Sequence, residues 1–238
     1  MRSFLLFLLL FFWSTFTPVL RAQDDKAKAE RIAQKVLKAS GGKKEWKNTR
    51  YFHWNFFGVR DLWWDKKDHR VRIEWPEKEL TLVADLDAMK GKIWKDSVQV
   101  TDSAKKAKLL ETARRIWIND SYWLFMPFKM SDPGVHLKYL GSDTLDGNPM
   151  HKVRMTFEEV GVTPQNKYHV WVDRKDHLVR KWAYFRKRDD QEPSMVTPWK
   201  GYSTYNGLKL SSDRGEKKIQ DISVPRTFPK GTFNALDP

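Results

Sequence analysis

Cysteine is missing from all 238 residues of this chain, which excludes disulfides and a lipid attached to an N-terminal cysteine. Catalytic and metal-binding motifs are missing as well. The six histidines stand singly, and the sequence has no HExxH, no Walker loop and no GxSxG elbow. We therefore expect no metal site, no cofactor and no catalytic residue, and an enzyme is the less favoured class. Two carboxylates that are close only in space, as a glycan-cleaving site needs, remain compatible with the sequence.

Long apolar runs are also scarce, and the one near the N-terminus is short. Residues 4–13 are apolar between Met1-Arg2 and a polar, proline-containing stretch, so the run falls below the roughly 20 residues of a membrane-spanning helix. Ala22 offers a small residue for cleavage before Gln23. The pattern predicts a cleaved signal peptide at residues 1–22 and an exported protein, periplasmic or secreted, without a lipid anchor.

No Gly/Ser-rich or Pro-rich linker divides residues 23–238, so we expect one domain, and we expect it to be a monomer. The formal net charge of the whole chain is +14, and loss of Arg2 and Arg21 with the signal leaves the mature protein strongly basic. A basic exported protein meets anionic membrane surfaces or acidic glycans before it meets nucleic acid. An anionic membrane surface is therefore an expected partner, and nucleic acid is not.

Short strands separated by turn residues fill most of the mature chain. A helix is predicted first, at about residues 26–39, with apolar residues at spacings of three and four and a stop at Ser40-Gly41-Gly42. Strands are then predicted at residues 51–57, 62–64, 70–75, 80–84 and 92–94, and later at 135–140, 150–157, 168–172, 178–186, 194–205, 208–210 and 219–224. Asp146-Gly147 and Asn206-Gly207 are typical of hairpin turns.

A second helix is predicted to interrupt the strands from Ser103 to Ile118, where apolar residues return to helical spacing. The stretch from Trp117 to Gly134 then contains Asn119-Asp120-Ser121, which we interpret as a turn, and an apolar run that Pro127 breaks. Such a run belongs in a core or lines an apolar ligand site, because in water it would aggregate. Core packing is the commoner use of these residues.

The faces of two predicted strands indicate how the sheet is covered. The strand at 70–75 alternates apolar residues on one face with Arg70, Arg72 and Glu74 on the other, so one side is predicted to be dry and the other wet. The strand at 51–57 is apolar on both faces and is predicted to be covered twice. A long antiparallel sheet curled around one or two helices satisfies both patterns.

Several strings carry a resemblance to known proteins. They are WINDSYWLFMPFKMSDPGV from Trp117 to Val135, followed by KYLG, GVTPQNKYHVWVD, EPSMVTPW and SSDRGE. With them, the chain from about Lys26 to Phe233 resembles an uncharacterised family of secreted bacterial proteins. More remotely, its layout is similar to the LolA/LolB-like fold of periplasmic lipoprotein carriers and receptors, in which a half-barrel of antiparallel strands holds helices over an apolar cavity.

This resemblance implies a single LolA/LolB-like domain at residues 23–238. The lipid-anchoring cysteine of the receptor branch is absent here, which argues against a membrane-anchored receptor. Together with the strand pattern, the resemblance predicts a mainly β (α+β) fold: a large curled antiparallel sheet, or half-barrel, with one or two helices covering its concave face.

Twelve tryptophans are more than core packing requires, and Trp also stacks on sugars and lies at membrane interfaces. A Trp-rich core remains the alternative. From these residues and the apolar run we select ten candidate ligand-binding residues, namely Trp54, Trp75, Trp94, Trp117, Tyr122, Trp123, Phe125, Met126, Phe128 and Arg214. Arg214 is either paired locally or binds an anionic head group.

Two functions follow from these expectations. The first is an exported soluble carrier or binding protein for a lipid, a lipoprotein acyl chain or another amphiphile, which needs an enclosed apolar volume. The alternative is an envelope glycan-binding module or a glycan-acting enzyme, which needs an open groove with exposed Trp faces and, for catalysis, paired carboxylates.

Overall fold

The computed structural model of the protein describes residues 17–158, 161 and 163–237. The predicted signal peptide lies largely in residues 1–16, outside the described residues. The described chain starts with a helix, α1, at Thr17–Ala39, and the predicted cleavage point after Ala22 falls within it. Among the described residues, no helix combines the length and the apolar character needed to cross a membrane.

The described chain is built of short strands and a few helices. The helices are α1 at Thr17–Ala39, α2 at Gly42–Asn48 and α3 at Ser103–Lys129, with a 3-10 turn at Pro76–Lys78. The first group of strands comprises β1 Tyr51–Phe56, β2 Arg60–Asp65, β3 Arg70–Trp75, β4 Leu80–Asp85, β5 Lys90–Lys95 and β6 Val98–Gln99. The second group comprises β7 Val135–Leu145, β8 Asn148–Phe157, β9 Lys167–Asp173, β10 Val179–Phe185, β11 Met195–Pro198, β12 Lys200–Tyr205, β13 Leu208–Asp213 and β14 Ile219–Ser223.

Hydrogen bonding divides these strands into three antiparallel sheets. The seven-stranded sheet has the order β14-β1-β2-β3-β4-β5-β6, the five-stranded sheet has the order β11-β10-β9-β8-β7, and β12 pairs with β13. The predicted fold class, a curled antiparallel sheet with helices against it, is confirmed. The short helix α2 and the short strand β6 were not predicted, because neither has enough residues to show a period.

Two hairpin turns lie where the sequence predicted them. Asp146 and Gly147 join β7 to β8 with φ of 51° and 76°, and Asn206 and Gly207 join β12 to β13 with φ of 46° and 84°. Two successive positive φ values are what the tight hairpin turn of a twisted sheet requires, and Asn, Asp and Gly tolerate them best.

Helix α3 is longer than predicted, and the expected turn at residues 119–121 is wrong. Asp120 is fully buried within the helix, where Arg60 of β2 donates to its carboxylate through Nε at 2.9 Å and Nη2 at 3.1 Å. Asn119 donates to the same carboxylate at 2.9 Å. The polar residues at this point therefore mark a buried ion pair inside the helix, because a partner distant in sequence satisfies the charge.

The predicted break at Pro127 is also wrong, since α3 continues to Lys129. Proline has no N–H and cannot bond to the carbonyl four residues earlier, which here belongs to Trp123. Arg214 supplies the missing donor: its Nη2 lies 2.6 Å from the Trp123 carbonyl oxygen. The helix thus passes Pro127 without leaving a buried carbonyl unsatisfied.

The interior lies on two sides of α3. Toward the seven-stranded sheet, Phe125 and Phe128 join a cluster with Phe52 and Trp64, against which Trp46 of α2 packs. Toward the five-stranded sheet, α1 and Met126 form a second cluster with the inner faces of β7 to β10. One helix therefore contributes to both cores.

The outer face of β3, predicted to be wet, is covered instead. Arg72 is 2% exposed, and its guanidinium donates to the backbone carbonyls of Thr232, Ala235 and Leu236 at 3.3, 2.7 and 2.5 Å. The C-terminal residues 225–237 thus cover this part of the sheet. Alternation in β3 could not show this, because the covering segment lies 160 residues away in sequence.

Candidate functional site

A cavity of about 400 Å³ lies between the C-terminal half of α3 and the inner face of β8 to β10. Its sheet side is formed by Phe157, Tyr168 and Trp182. The helix residues that line it are Trp117, Ile118, Asn119, Ser121, Tyr122, Trp123 and Lys129. The segment after α3 contributes Asp132, Pro133 and Val135. The volume lies within the range of about 300–1,000 Å³ that small-molecule pockets occupy.

Aromatic rings line the cavity on both the helix side and the sheet side. The rings of Tyr168 and Trp182 stack with their planes 3° apart and their centroids 4.9 Å apart. Trp123 meets Trp182 edge to face at 4.8 Å. Tyr122 lies farther from its neighbours, with centroid distances of 5.8 Å to Tyr168 and 6.3 Å to Trp182. The rings fix one another and still leave open volume beside Tyr122.

Three hydrogen-bond donors of the wall are buried without a partner among the described residues. They are Nε1 of Trp117, the hydroxyl of Tyr122 and Nε1 of Trp182. Burial, together with nearby Tyr168 and Asp132, raises the pKa of Tyr122 well above its usual value, so its hydroxyl keeps its proton and remains a donor. An unpaired buried donor costs about 1–3 kcal/mol, and Nε1 of Trp54, Trp64 and Trp199 is unpartnered in the same way in the packed cores.

Charge is confined to one end of the cavity. Lys129 and Asp132 form an ion pair there, with Nζ and Oδ2 3.7 Å apart. Burial raises the pKa of Asp132, and Lys129 opposes that rise. The cavity therefore has an apolar, aromatic body and a polar end that carries both signs of charge.

Only three of the ten candidate residues line this cavity, namely Trp117, Tyr122 and Trp123. Four others are buried in the two cores. Trp54, Phe125 and Phe128 belong to the cluster on the seven-stranded sheet, and Met126 belongs to the cluster on the five-stranded sheet. Residues that are neighbours in the apolar run thus point in different directions, because the run is helical.

Trp75 and Trp94 line a separate groove of about 410 Å³ at one edge of the seven-stranded sheet, together with Leu236. Trp94 is only 7% exposed. The guanidinium of Arg60 lies 4.7 Å from the centroid of the Trp75 ring. Trp94 is therefore used in packing, and Trp75 makes a cation–π contact with Arg60.

Arg214 does not line the cavity, and it is 3% exposed. Besides the Trp123 carbonyl, it donates to the hydroxyl of Ser211 at 2.8 Å, and its guanidinium lies 3.5 Å from the Trp199 ring centroid. Burial lowers its pKa to about 9, although Tyr202 and Asp213 act in the opposite direction. Its contacts join β13 to α3.

The sheet side of the cavity was missed by the sequence analysis. Tyr168 and Trp182 lie in correctly predicted strands, and their side chains share the inner face with Val170 and Val153. The alternation of apolar and polar residues along β9 and β10 could have assigned Tyr168 and Trp182 to an apolar strand face. It carries no information that this face lies opposite α3. No group of three or more His, Asp or Glu residues suited to a metal ion occurs in the described part of the chain.

No family model matches the chain, and no curated protein matches it. A solved structure of a DUF1329 family protein from Desulfovibrio piger is similar with a TM-score of 0.46 at 10% identity, over 86% of this chain and 96% of that one. A putative outer membrane lipoprotein-sorting protein domain from Vibrio parahaemolyticus gives a TM-score of 0.43 at 8% identity, over 88% and 97% of the two chains.

A LolA superfamily protein from Nitrosomonas europaea gives a TM-score of 0.41 at 10% identity, over 84% of this chain and 96% of that one. The structures similar to this chain thus include LolA superfamily proteins, as the remote resemblance predicted. All three TM-scores are below 0.5.

Proposed function

We propose that this protein is an exported binding protein or carrier for an amphiphile, such as a lipid or a lipoprotein acyl chain. The cavity beside α3 is the proposed binding site. The observation that carries the proposal is a cavity of about 400 Å³ that aromatic rings line from both the helix and the sheet, together with three unpartnered donors in its wall. An apolar chain fills such a volume, and the donors call for an oxygen acceptor such as an ester or a carboxylate.

Different residues of the cavity wall contact the apolar and the polar parts of the proposed ligand. Trp123, Tyr168 and Trp182 supply apolar area, which stabilises a buried chain by about 25 cal/mol per Å². The Tyr122 hydroxyl donates to the ligand oxygen, and Lys129 meets a negative head group if the ligand carries one. Of the ten candidate residues, Trp117, Tyr122 and Trp123 therefore belong to the proposed site.

The glycan alternative has less support. A sugar-binding groove needs Trp rings with a free face, whereas each of the eleven tryptophans from Trp46 to Trp199 is buried or half-buried. Nine of these rings contact another aromatic ring. The tryptophans fit walls and cores better than open sugar platforms.

The proposal is tested with Tyr122→Phe, which removes the hydroxyl and keeps the ring. We expect uptake of a fluorescent fatty acid to weaken roughly five-fold, which corresponds to the loss of one hydrogen bond of about 1 kcal/mol. Tyr51→Phe is the matched control, because Tyr51 lies on the far side of the seven-stranded sheet against Phe228. Parent protein that never takes up the probe, or equal losses in both variants, would contradict the proposal.

Export is a separate part of the proposal, and it rests on the sequence of residues 1–22. The mature protein is expected to begin at or near Gln23, because Ala22 is the small residue placed for cleavage. N-terminal sequencing of protein recovered from the cell envelope checks this. An intact Met1 on a membrane-embedded product would show the expectation to be wrong.

A further inference from the structure

The outer face of the five-stranded sheet carries three adjacent rows of side chains that contain cations and no acid. Across β10, β9, β8 and β7, the first row is Lys181, Trp171, Lys152 and Gly141. The second row is Ala183, His169, Arg154 and Lys138, and the third is Phe185, Lys167, Thr156 and His136. We call these three rows the basic face. Its area is about 15 by 14 Å, from the strand spacing and the rise per residue.

Like charges are neighbours on the basic face. Arg154 and Lys138 are directly paired across β8 and β7, an arrangement that destabilises a sheet when no acid intervenes. Asp143 lies beyond the first row, 3.9 Å from Lys152, and Glu158 lies beyond the third row, 2.8 Å from His136. The acids thus stand at the two ends of the face, and the repulsion in its middle is not offset there.

Aromatic rings hold the lysine side chains in place. Nζ of Lys152 and Nζ of Lys181 lie 4.8 and 4.6 Å from the centroid of Trp171, which is itself 6% exposed. The two ammonium groups lie over the ring in cation–π contacts. Trp171 therefore holds both lysines on this side of the sheet as part of a charged layer.

His169 lies among these cations, and its pKa reflects its burial and their charge. Burial lowers the pKa of His169 to about 4, and Lys152, Lys167 and Arg154 lower it further. The histidine is therefore neutral at physiological pH, and the positive potential of the face comes from the lysines and Arg154. Lys167 differs from the other lysines of the face, because it is buried and its Nζ donates to the backbone carbonyl of Asp190 at 2.7 Å.

We propose that the basic face docks the protein on the surface of an anionic lipid bilayer. The proposal deepens the carrier function and rests on it for its purpose, because a carrier of amphiphiles must reach the membrane that supplies or receives them. A bilayer is favoured over a polysaccharide because the cations cover a broad sheet face. The Trp171 ring beneath them has no free face for a sugar, since it is buried and two ammonium groups lie over it.

The geometry also places the ligand near the membrane. Trp182 and Tyr168 face the cavity from β10 and β9, while their neighbours Lys181 and His169 lie on the basic face. One layer of strands therefore separates the proposed ligand from the proposed docking surface. Contact with the bilayer needs no rearrangement of the cavity wall.

The test compares two double variants with the same loss of charge. Lys138→Gln/Arg154→Gln removes the like-charged pair from the basic face. Lys105→Gln/Lys108→Gln removes two exposed lysines from the first turns of α3. Co-sedimentation is measured without ligand on vesicles of phosphatidylglycerol and phosphatidylcholine, and on vesicles of phosphatidylcholine alone. Each basic residue at an anionic surface contributes about five-fold to binding.

We expect the basic-face variant to lose on the order of 30-fold in binding to the anionic vesicles, and the α3 variant to lose less than about three-fold. Equal losses would mean that net charge alone attracts the protein, and would overturn the proposal. Retention on immobilised heparin without vesicle binding would also overturn it, in favour of an anionic polysaccharide.

Folding is checked by thermal unfolding. If the double variant is unstable, Lys138→Glu provides a second test, because Lys138 is exposed and its reversal changes the charge at one position. Vesicle binding and fatty-acid uptake are measured separately. A protein that takes up the probe but ignores anionic vesicles contradicts docking alone, and one that docks but takes up no probe contradicts only the carrier function.

Discussion

Phe125 and Tyr122 lie on opposite sides of α3, and they differ in how closely neighbouring aromatic rings approach them. Toward the seven-stranded sheet, the Phe125 ring lies 4.8 Å from Phe52, 5.4 Å from Trp54 and 5.6 Å from Trp64, measured between centroids. Toward the five-stranded sheet, Tyr122 lies 5.8 Å from Tyr168 and 6.0 Å from Phe157. The first side is filled, and the second leaves the cavity. Aromatic content alone therefore does not decide whether a segment is core or binding site.

The largest expected effect tests the filled side. Phe125→Ala removes a ring that is fully buried, and it should lower the free energy of unfolding by about 3–5 kcal/mol, because a cavity replaces the side chain. Trp123→Ala, on the cavity wall, should cost less, about 1–2 kcal/mol, and should weaken fatty-acid uptake more. Urea unfolding and probe titration measure both. Equal stability losses would remove the distinction between the two sides.

A smaller effect is expected where the two sides are joined. Arg214→Met leaves the Trp123 carbonyl without a donor, so the free energy of unfolding should fall by about 1–3 kcal/mol. Pro127→Ala restores the N–H that the helix lacks at this carbonyl. In the Pro127→Ala protein, Arg214→Met should therefore cost on the order of 1 kcal/mol less. A double-mutant cycle with no coupling would show that Arg214 does not act through the Trp123 carbonyl.

The smallest expected effect concerns the seven-stranded side at low pH. Burial alone would raise the pKa of Asp65, but hydrogen bonds from Arg50 at 2.8 Å and from Arg70 at 3.0 Å hold it at about 2. The unfolded value is about 3.9. A carboxyl whose pKa is lower in the folded state stabilises the fold above the unfolded pKa, and this stabilisation is lost as pH falls from about 3.9 toward 2.

For Asp65 the loss should be about 1–2 kcal/mol, discounted because the partner Arg50 is partly exposed to solvent. Urea unfolding at a series of pH values from 5 to 2 measures it. Asp65→Asn is the control, since it cannot titrate and should flatten this part of the profile. An unchanged profile in the variant would assign the acid sensitivity to other carboxyls.

The sequence predicted short strands and tight turns best, because a strand repeats every two residues and turn residues mark where it begins and ends. The strand at residues 70–75 matches β3, and the hairpins at Asp146-Gly147 and Asn206-Gly207 are confirmed. The expected turn at residues 119–121 was wrong because the partner of Asp120, Arg60, is 60 residues away. A polar segment such as Asn119-Asp120-Ser121 is compatible with a surface turn and with a buried ion pair, and only the position of the partner distinguishes the two.

The candidate site shows the same limit. The sequence identified the apolar stretch after Trp117 and so identified Trp117, Tyr122 and Trp123 of the cavity wall. It placed Phe125 and Phe128 in the same set, because a run that is apolar on every side has no periodicity that separates one face from the other. The sheet half of the wall was not found, since strand patterns carry no information about which helix they face.

By itself, the sequence determined the local elements, the apolar strand faces, the excess of positive charge and the absence of cysteine chemistry, because these depend on neighbouring residues or on composition. Tertiary structure decided the rest. It set Arg60 against Asp120 and Arg214 against the carbonyl left by Pro127. It also left open volume on one side of α3 and gathered Lys138, Arg154 and Lys181 onto one sheet face. Those arrangements depend on residues far apart in the chain, whose distances only the folded packing sets.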